Sequence, residues 1–259
     1  MPELPDLEVF AANLEKRFKD KTLERLEVQV AKKLNVTESE LKEILEGHRL
    51  AAVRRAGKTI QLDFGAERVL GLHLMLHGEL KLIEANENSK HAIVSFYFKG
   101  GDGFALSDFQ KSATPTLNPA ASDVPDALSK EMSVAYLEAV LAKKKAPIKT
   151  VLMDQNIIRG IGNTYADEIL WETRISPFSV SKAIPGAKVK ELHQVIRKLL
   201  GKEIEQIGKL LPDELGGEIR DFLKIHGAGI KESPTGRKIM VQEIGGRKSY
   251  YTDEQQLYK

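Results

Sequence analysis

The sequence predicts an α+β fold: a β-rich N-terminal domain, a helical domain after it, and a β-hairpin closing the chain. Three observations carry that reading. Between residues 22 and 109, short alternating apolar segments are separated by turn residues such as Gly57, Gly65, Gly78 and the pair Gly100-Gly101. Beyond residue 131 the apolar period lengthens to that of helices. From residue 225 onward the chain returns to strand and turn.

The elements follow in order. Leu7, Phe10, Ala11, Leu14 and Phe18 recur at helical spacing and predict an amphipathic helix over 6–19, which Pro5 and Asp6 are suited to start and cap. Strands are expected at 22–30, 49–56, 58–64, 68–76, 78–84, 91–98 and 103–109, with one short helix at 38–46. Such a series implies a sandwich or barrel of about eight strands. Residues 114–130, TPTLNPAASDVPDALSK, read as a linker. Helices are expected at 131–143, 147–155, 162–173 and 185–208, with a shorter piece at 218–224. RKIMVQEI and RKSYYT flank Gly245-Gly246, a two-residue hairpin signal. The domains are therefore drawn at 1–120, 131–224 and 225–259.

Composition narrows the function. Hydrophobic residues are 42% and charged residues 29%, as in ordinary globular chains. Without cysteine there is no disulfide scaffold, no thiolate nucleophile and no sulfur-based zinc site. No apolar run approaches the roughly 20 residues of a membrane span, and MPELPDLEVF lacks the layout of a signal peptide. A soluble protein without a membrane partner is expected, cytoplasmic and nucleoid-associated in a bacterium or nuclear in a eukaryote. A net charge of +2 neither demands nor excludes nucleic acid. Basic residues do cluster at Arg54, Arg55 and Lys58, at Lys143, Lys144, Lys145 and Lys149, and at Arg237, Lys238, Arg247 and Lys248.

Pro2 permits removal of Met1, which leaves a secondary amine. An α-amino group ionises near pKa 7.7–8.0, so a useful fraction is neutral near pH 7. Such an amine can attack a sugar aldehyde carbon, and the resulting imine carries a fixed positive charge. Glu3 places a carboxylate beside it for acid–base work. Many chains begin Met-Pro for processing alone, so the dipeptide needs support from elsewhere. Gly160 and Gly162 allow close backbone approach just before a helix, whose free amides favour an anion. Asn163 there can cap the helix or donate to a phosphate.

MPELPDLE at the start, RRAGKTIQLDF, LHLMLHGEL, KKKAPIKTVLMDQNIIRGIGNTYADEILW at 143–171 and GGRKSYYTDEQQ together resemble the formamidopyrimidine-DNA glycosylase and endonuclease VIII family, in the family's order along nearly the whole chain. The resemblance implies an N-terminal β-sandwich, a helical helix–two-turn–helix domain and a finger hairpin. It implies catalysis by Pro2, Glu3 and Lys58, and phosphate contacts by Lys149, Asn163 and Arg247. Tyr165, Ile169, Leu170 and Trp171 are expected to be core.

Two departures stand out. At the four places where the usual member binds zinc through cysteine, the aligned turns put Glu232, Thr235, Thr252 and Gln255, a poor ligand set. A zincless finger held by Ile239, Val241, Ile244, Tyr250 and Tyr251 is expected, and the resemblance allows it because some members have metal-free fingers. The residues that fill the hole left by an extruded base also differ. Leu76 falls at the family's Met position, Gln110 at its Arg and Ser112 at its Phe, with Phe109 as a substitute wedge. The covering loop of the formamidopyrimidine branch is not recognisable in QIGKLLPDELGGEIRDFLKIHG, which leaves oxidised purine or oxidised pyrimidine open.

The expected function is a bifunctional glycosylase and AP lyase, monomeric, acting on damaged double-stranded DNA lying between the domains, with no cofactor and no metal. Two alternatives stay in view. One is a binding protein that recognises damage on the same scaffold without turnover. The other is a metal-dependent nuclease, for which Asp63, His73, His77 and Glu79 are the nearest ligand candidates.

Overall fold

The computed structural model describes residues 1–84 and 89–259. The chain divides into two compact units, Met1–Ala121 with Ile204–Glu218, and Ser122–Glu203 with Ile219–Lys259.

The first unit begins with α1 (Leu4–Phe18). Pro5 in its first turn has no amide hydrogen to lose, and Glu3 and Asp6 form a reciprocal capping box at its start. Its buried stripe of Leu7, Phe10, Leu14 and Phe18 packs onto two four-stranded antiparallel sheets that share one core. The strands are β1 (Leu23–Val28), β2 (Ala52–Ala56), β3 (Thr59–Asp63), β4 (Val69–His73), β5 (Glu79–Glu84), β6 (Ala92–Phe98), β7 (Asp102–Ser107) and β8 (Thr114–Leu117). One sheet runs β1-β6-β7-β5 and the other β2-β3-β4-β8, which makes the unit a sandwich. In β3 the period of two is plain, with Ile60 and Leu62 fully buried between half-buried neighbours. Phe18, Phe96, Phe98 and Phe104 touch ring to ring at 4.6–6.2 Å in the core. Truncating any of them to Ala should cost about 3–5 kcal/mol. The short α2 (Glu38–Leu45) is capped by the Thr37 hydroxyl, which accepts from Glu40 N.

The expected linker at 114–130 is corrected at its start, because Thr114–Leu117 is a strand. Leu117 pairs with Leu70 and Pro115 with Leu72, and an edge strand tolerates the amide hydrogen that Pro115 lacks.

The second unit holds α3 (Val134–Leu141), α4 (Ile148–Met153), α5 (Asn163–Glu172) and α6 (Gly186–Leu210) up to Glu203, together with the hairpin β9 (Met240–Ile244) and β10 (Arg247–Tyr251). Tyr165, Ile169, Leu170 and Trp171 of α5 are buried, as expected. Gly245 and Gly246 both sit at positive φ, +58° and +73°, the conformation a two-residue hairpin turn requires. Ile239, Ile244 and Tyr250 are buried, and Ile239 and Tyr250 pack with Trp171 and Ile225. Val241 points to solvent at 53% exposure, so it does not hold the finger. Tyr251 instead meets Phe178 edge-on at 5.0 Å.

The expected helix at 218–224 does not form. The amides of Lys224, Ile225 and His226 donate to the Glu168 carboxylate rather than to an intrahelical carbonyl. A side chain has outcompeted the helix for those donors.

Candidate active site and nucleic-acid interface

Pro2 is buried. The Met1 ammonium lies 2.7 Å from Glu218 Oε1. Pro2 and Glu218 line the same cavity of about 190 Å³, together with Leu76, His77, Glu79 and Gly217. Glu3 is almost fully buried and acts as the N-cap of α1, its amide donating to Asp6 Oδ2 at 2.8 Å. Lys58 sits half-buried in the turn between β2 and β3. Sequence reasoning missed what fixes that turn. Arg55 donates to Glu8 of α1 at 2.6 Å and to the Gly57 carbonyl at 2.9 Å, fastening the Lys58 turn to the helix that Glu3 caps. Burial, and then the charge of Lys58, lowers the pKa of His73, and His73 Nδ1 accepts from Met75 N at 3.1 Å.

Leu76 (57% exposed) and Phe109 (59%) stand out from the sandwich, with Gln110 exposed beside Phe109. The Phe109 ring lies 4.9 Å from His77. Asp108 builds the loop that carries Phe109 and Gln110. It accepts from the amides of Gln110, Ser112 and Ala113 at 2.8, 2.7 and 2.8 Å. Burial opposes its charge, but those amides outweigh it and hold the carboxyl below its usual range. Gly78 is required behind Leu76, since a Cβ there would lie 2.1 Å from the Leu74 carbonyl oxygen.

In the second unit the structure revises the role of Lys149. Its side chain is fully buried. It pairs with Asp167 at 2.7 Å and donates to the Lys248 carbonyl at 3.0 Å and to Ser249 Oγ at 2.8 Å. It holds β10 against α4 and α5 and is not presented to a phosphate. Asn163 is the first residue of α5, after the N-cap Gly162, and its Nδ2 donates to the same Lys248 carbonyl at 3.2 Å. Arg247 lies exposed just after the hairpin turn. Asp167 also takes His226 Nδ1 at 2.8 Å and Tyr250 N at 3.0 Å.

Burial pushes the Glu168 carboxyl up against the pull of its three amide donors. Glu203, only 7% exposed, is pushed up to about 7, by burial first and by the Glu168 carboxylate, while Lys202 opposes. Asp167, Glu168 and Glu203 escaped sequence reading because acidic residues inside helices read as solvated faces. The available signal was that Asp167 and Glu168 interrupt the apolar stretch of α5.

The four finger positions have work of their own. Gln255 Nε2 donates to the Ile175 carbonyl at 2.8 Å, and its Oε1 accepts from Thr252 N at 2.9 Å. The Thr235 and Thr252 hydroxyls both donate to Glu254, at 2.8 and 3.1 Å. The Thr235 hydroxyl first, with Thr252 and Arg174 adding to it, holds the Glu254 carboxyl below the usual range. Glu232 makes an isolated bridge to Lys238. Among the described residues no three His, Cys, Asp or Glu side chains gather to hold a metal ion. Of the nuclease candidates, Asp63 is taken by Arg54 and Gly65 N, and His73 by Met75 N. No helix among the described residues is long and apolar enough to cross a membrane.

Residues 1–114 match the family model of the formamidopyrimidine-DNA glycosylase N-terminal domain, and residues 124–212 match that of the formamidopyrimidine-DNA glycosylase H2TH domain. The formamidopyrimidine-DNA glycosylase of Pelotomaculum thermopropionicum is 30% identical over 270 residues, 97% of each chain. That of Lactobacillus gasseri is 29% identical over 276 residues, with both chains fully covered. The chain belongs to the formamidopyrimidine-DNA glycosylase family. The Lactococcus lactis Fpg solved in complex with an abasic-site DNA has the same fold, with a TM-score of 0.87 at 24% identity over 97% of this chain and 98% of that one. The same enzyme with DNA containing N7-benzyl-Fapy-dG also superposes with a TM-score of 0.87, at 24% identity over 96% and 97%.

Proposed function

We propose that this chain is a base-excision-repair DNA glycosylase with AP lyase activity, acting through the Pro2 amine on oxidised bases and abasic sites in double-stranded DNA. The observation that carries the reading is Pro2 lining a cavity of nucleobase scale in a member of this family. Once Met1 is removed, the Pro2 nitrogen forms a bond to C1′ as the glycosidic bond breaks and the base leaves, or at an abasic site as the carbonyl oxygen leaves as water, and the resulting Schiff base undergoes elimination of the 3′ and then the 5′ phosphate. Glu3 and Lys58 move the protons. Leu76 enters the space vacated by the extruded base, Phe109 supplies the aromatic wedge that Ser112 is too small to be, and Gln110 meets the orphaned partner base.

Arg247 and Asn163 contact phosphates of the bound strand, and Lys149 acts behind them as a positioning residue. The finger works without metal, held by the Gln255 and Glu254 hydrogen bonds and by Ile239, Ile244 and Tyr250. The protein acts as a monomer, in the cytoplasm on a bacterial nucleoid or in a nucleus.

The test is borohydride trapping on duplex DNA holding one abasic site. A covalent adduct that disappears when the terminal amine is acetylated, or when one residue is added before Pro2, supports the reading. An adduct that persists in both cases moves the chemistry elsewhere. No adduct with the wild-type protein, its Met1 verified by mass as removed, leaves a damage-recognising binding protein.

A further inference from the structure

The strap 211–218 that follows α6 is fastened to the first unit at several points. Asn13 of α1 donates to the carbonyls of Leu211 and Glu214, both at 2.8 Å. Lys16 pairs with Asp213 at 2.7 Å, and Leu215 is buried in the sandwich core. Gly216 runs so close to β5 that a Cβ would lie 3.1 Å from the Leu80 carbonyl oxygen. Gly217, at a φ of +102°, turns the chain so that Glu218 comes back over the chain start. There its carboxylate lies 2.7 Å from the Met1 ammonium and lines the cavity that Pro2 also lines.

We propose that Glu218 is the proton acceptor and donor for the Pro2 amine, an assignment that rests on the Schiff-base reading above. A carboxylate that reaches the nitrogen one residue before Pro2, lines the cavity Pro2 lines and is held by an anchored strap is placed to act as a general base on the Pro2 nitrogen once Met1 is gone. The steps balance with no outside reagent. Glu218 takes one proton from the Pro2 ammonium, and the freed nitrogen pair forms a bond to C1′ of the ring-opened abasic aldehyde. The N–H proton of the adduct passes to the former carbonyl oxygen, giving a carbinolamine hydroxyl. Glu218 returns its proton to that hydroxyl, the C–O bond breaks, water leaves, and the iminium remains with its positive charge. Overall one ammonium and one aldehyde become one iminium and one water. Glu3 is occupied as the cap of α1.

The experiment measures single-turnover borohydride trapping at saturating abasic DNA, from about pH 5 to about pH 9, a range that brackets α-amino ionisation. It uses the full-length protein with Met1 removed. For Glu218→Gln the plateau rate should fall about 10²-fold, the low end of what a positioned acid–base group contributes. The acid limb should also move, because the group that takes the proton from the amine is gone. Glu218→Asp should recover part of the rate with the limb restored. Glu218 is partly exposed, so both variants should melt as the wild type does. Wild-type rates in Glu218→Gln at every pH would overturn the proposal, as would a deficit with no movement of the acid limb. A protein with one residue added before Pro2, run alongside, separates the two ideas: its failure to abolish trapping would refute the nucleophile itself, whatever Glu218 does.

Discussion

Replacing Lys149 by Met would leave the Asp167 carboxylate facing a thioether in a site where both side chains are fully buried. The variant loses the 2.7 Å ion pair and the donors to the Lys248 carbonyl and Ser249 Oγ. Removing one partner of a buried pair costs about 3–5 kcal/mol. Asp167 keeps His226 and the Tyr250 amide, which places the expected loss near the lower end. At about 2–4 °C per kcal/mol, the melting temperature should fall by about 6–12 °C. Asp167→Asn combined with Lys149→Met removes both charges, and the double variant should recover most of that loss. Thermal and urea unfolding of the four proteins close the cycle. A single-variant loss under about 1 kcal/mol, or simple additivity, would refute the structural role. The DNA-binding salt slope gives an independent check, measured where the variant is folded. It should be unchanged in Lys149→Met, whereas loss of a direct phosphate contact lowers it by about one.

Arg247→Ala should show that drop of about one in salt slope, read by titration of abasic duplex at several salt concentrations; an unchanged slope would remove Arg247 from the interface. Glu203 has its folded pKa raised to about 7, so the fold favours its protonated form, and its stability contribution is lost as pH rises from the ordinary carboxylate range through about 7. Glu203→Gln should therefore raise the stability at pH 8 by about 1–3 kcal/mol, read as a higher melting temperature, and leave it nearly unchanged at pH 5; equal effects at both pH values would contradict the burial argument. Gln255→Ala strands the Thr252 amide and the Ile175 carbonyl and should cost about 2–4 kcal/mol by urea unfolding, while a chelator leaves the wild-type melt in place. Phe109→Ala should weaken binding to abasic duplex by about tenfold, roughly 1.4 kcal/mol, with little effect on stability because the ring is largely exposed; unchanged affinity would mean that it does not enter the duplex.

The strands of the sandwich were legible because one buried face imposes a period of two, as at Ile60 and Leu62 in β3. The hairpin was legible because Gly245 and Gly246 are the residues for which two positive φ angles carry no steric cost. Pro115 concealed β8, since proline punctuates a sequence wherever it falls and only the pairing shows that this position is an edge. At the site, the residue types at Pro2, Glu3 and Lys58 were readable from chemistry and resemblance. The partners that place them were not, because Arg55 with Glu8 and Met1 with Glu218 pair across long stretches of sequence. Lys149 was misread for a related reason. A lysine in a basic run, next to Lys143, Lys144 and Lys145, gives no local sign that Asp167 will neutralise it inside the fold.

One carbonyl oxygen, that of Lys248, receives both the Lys149 ammonium and the Asn163 amide. Two helices thus align the hairpin by gripping its main chain, and position 248 is free to vary in side chain while 149 and 163 are not. Transplanting this hairpin onto another helical scaffold would succeed only if a lysine and an asparagine travelled with it, because the aim of Arg247 is set by residues about a hundred positions upstream.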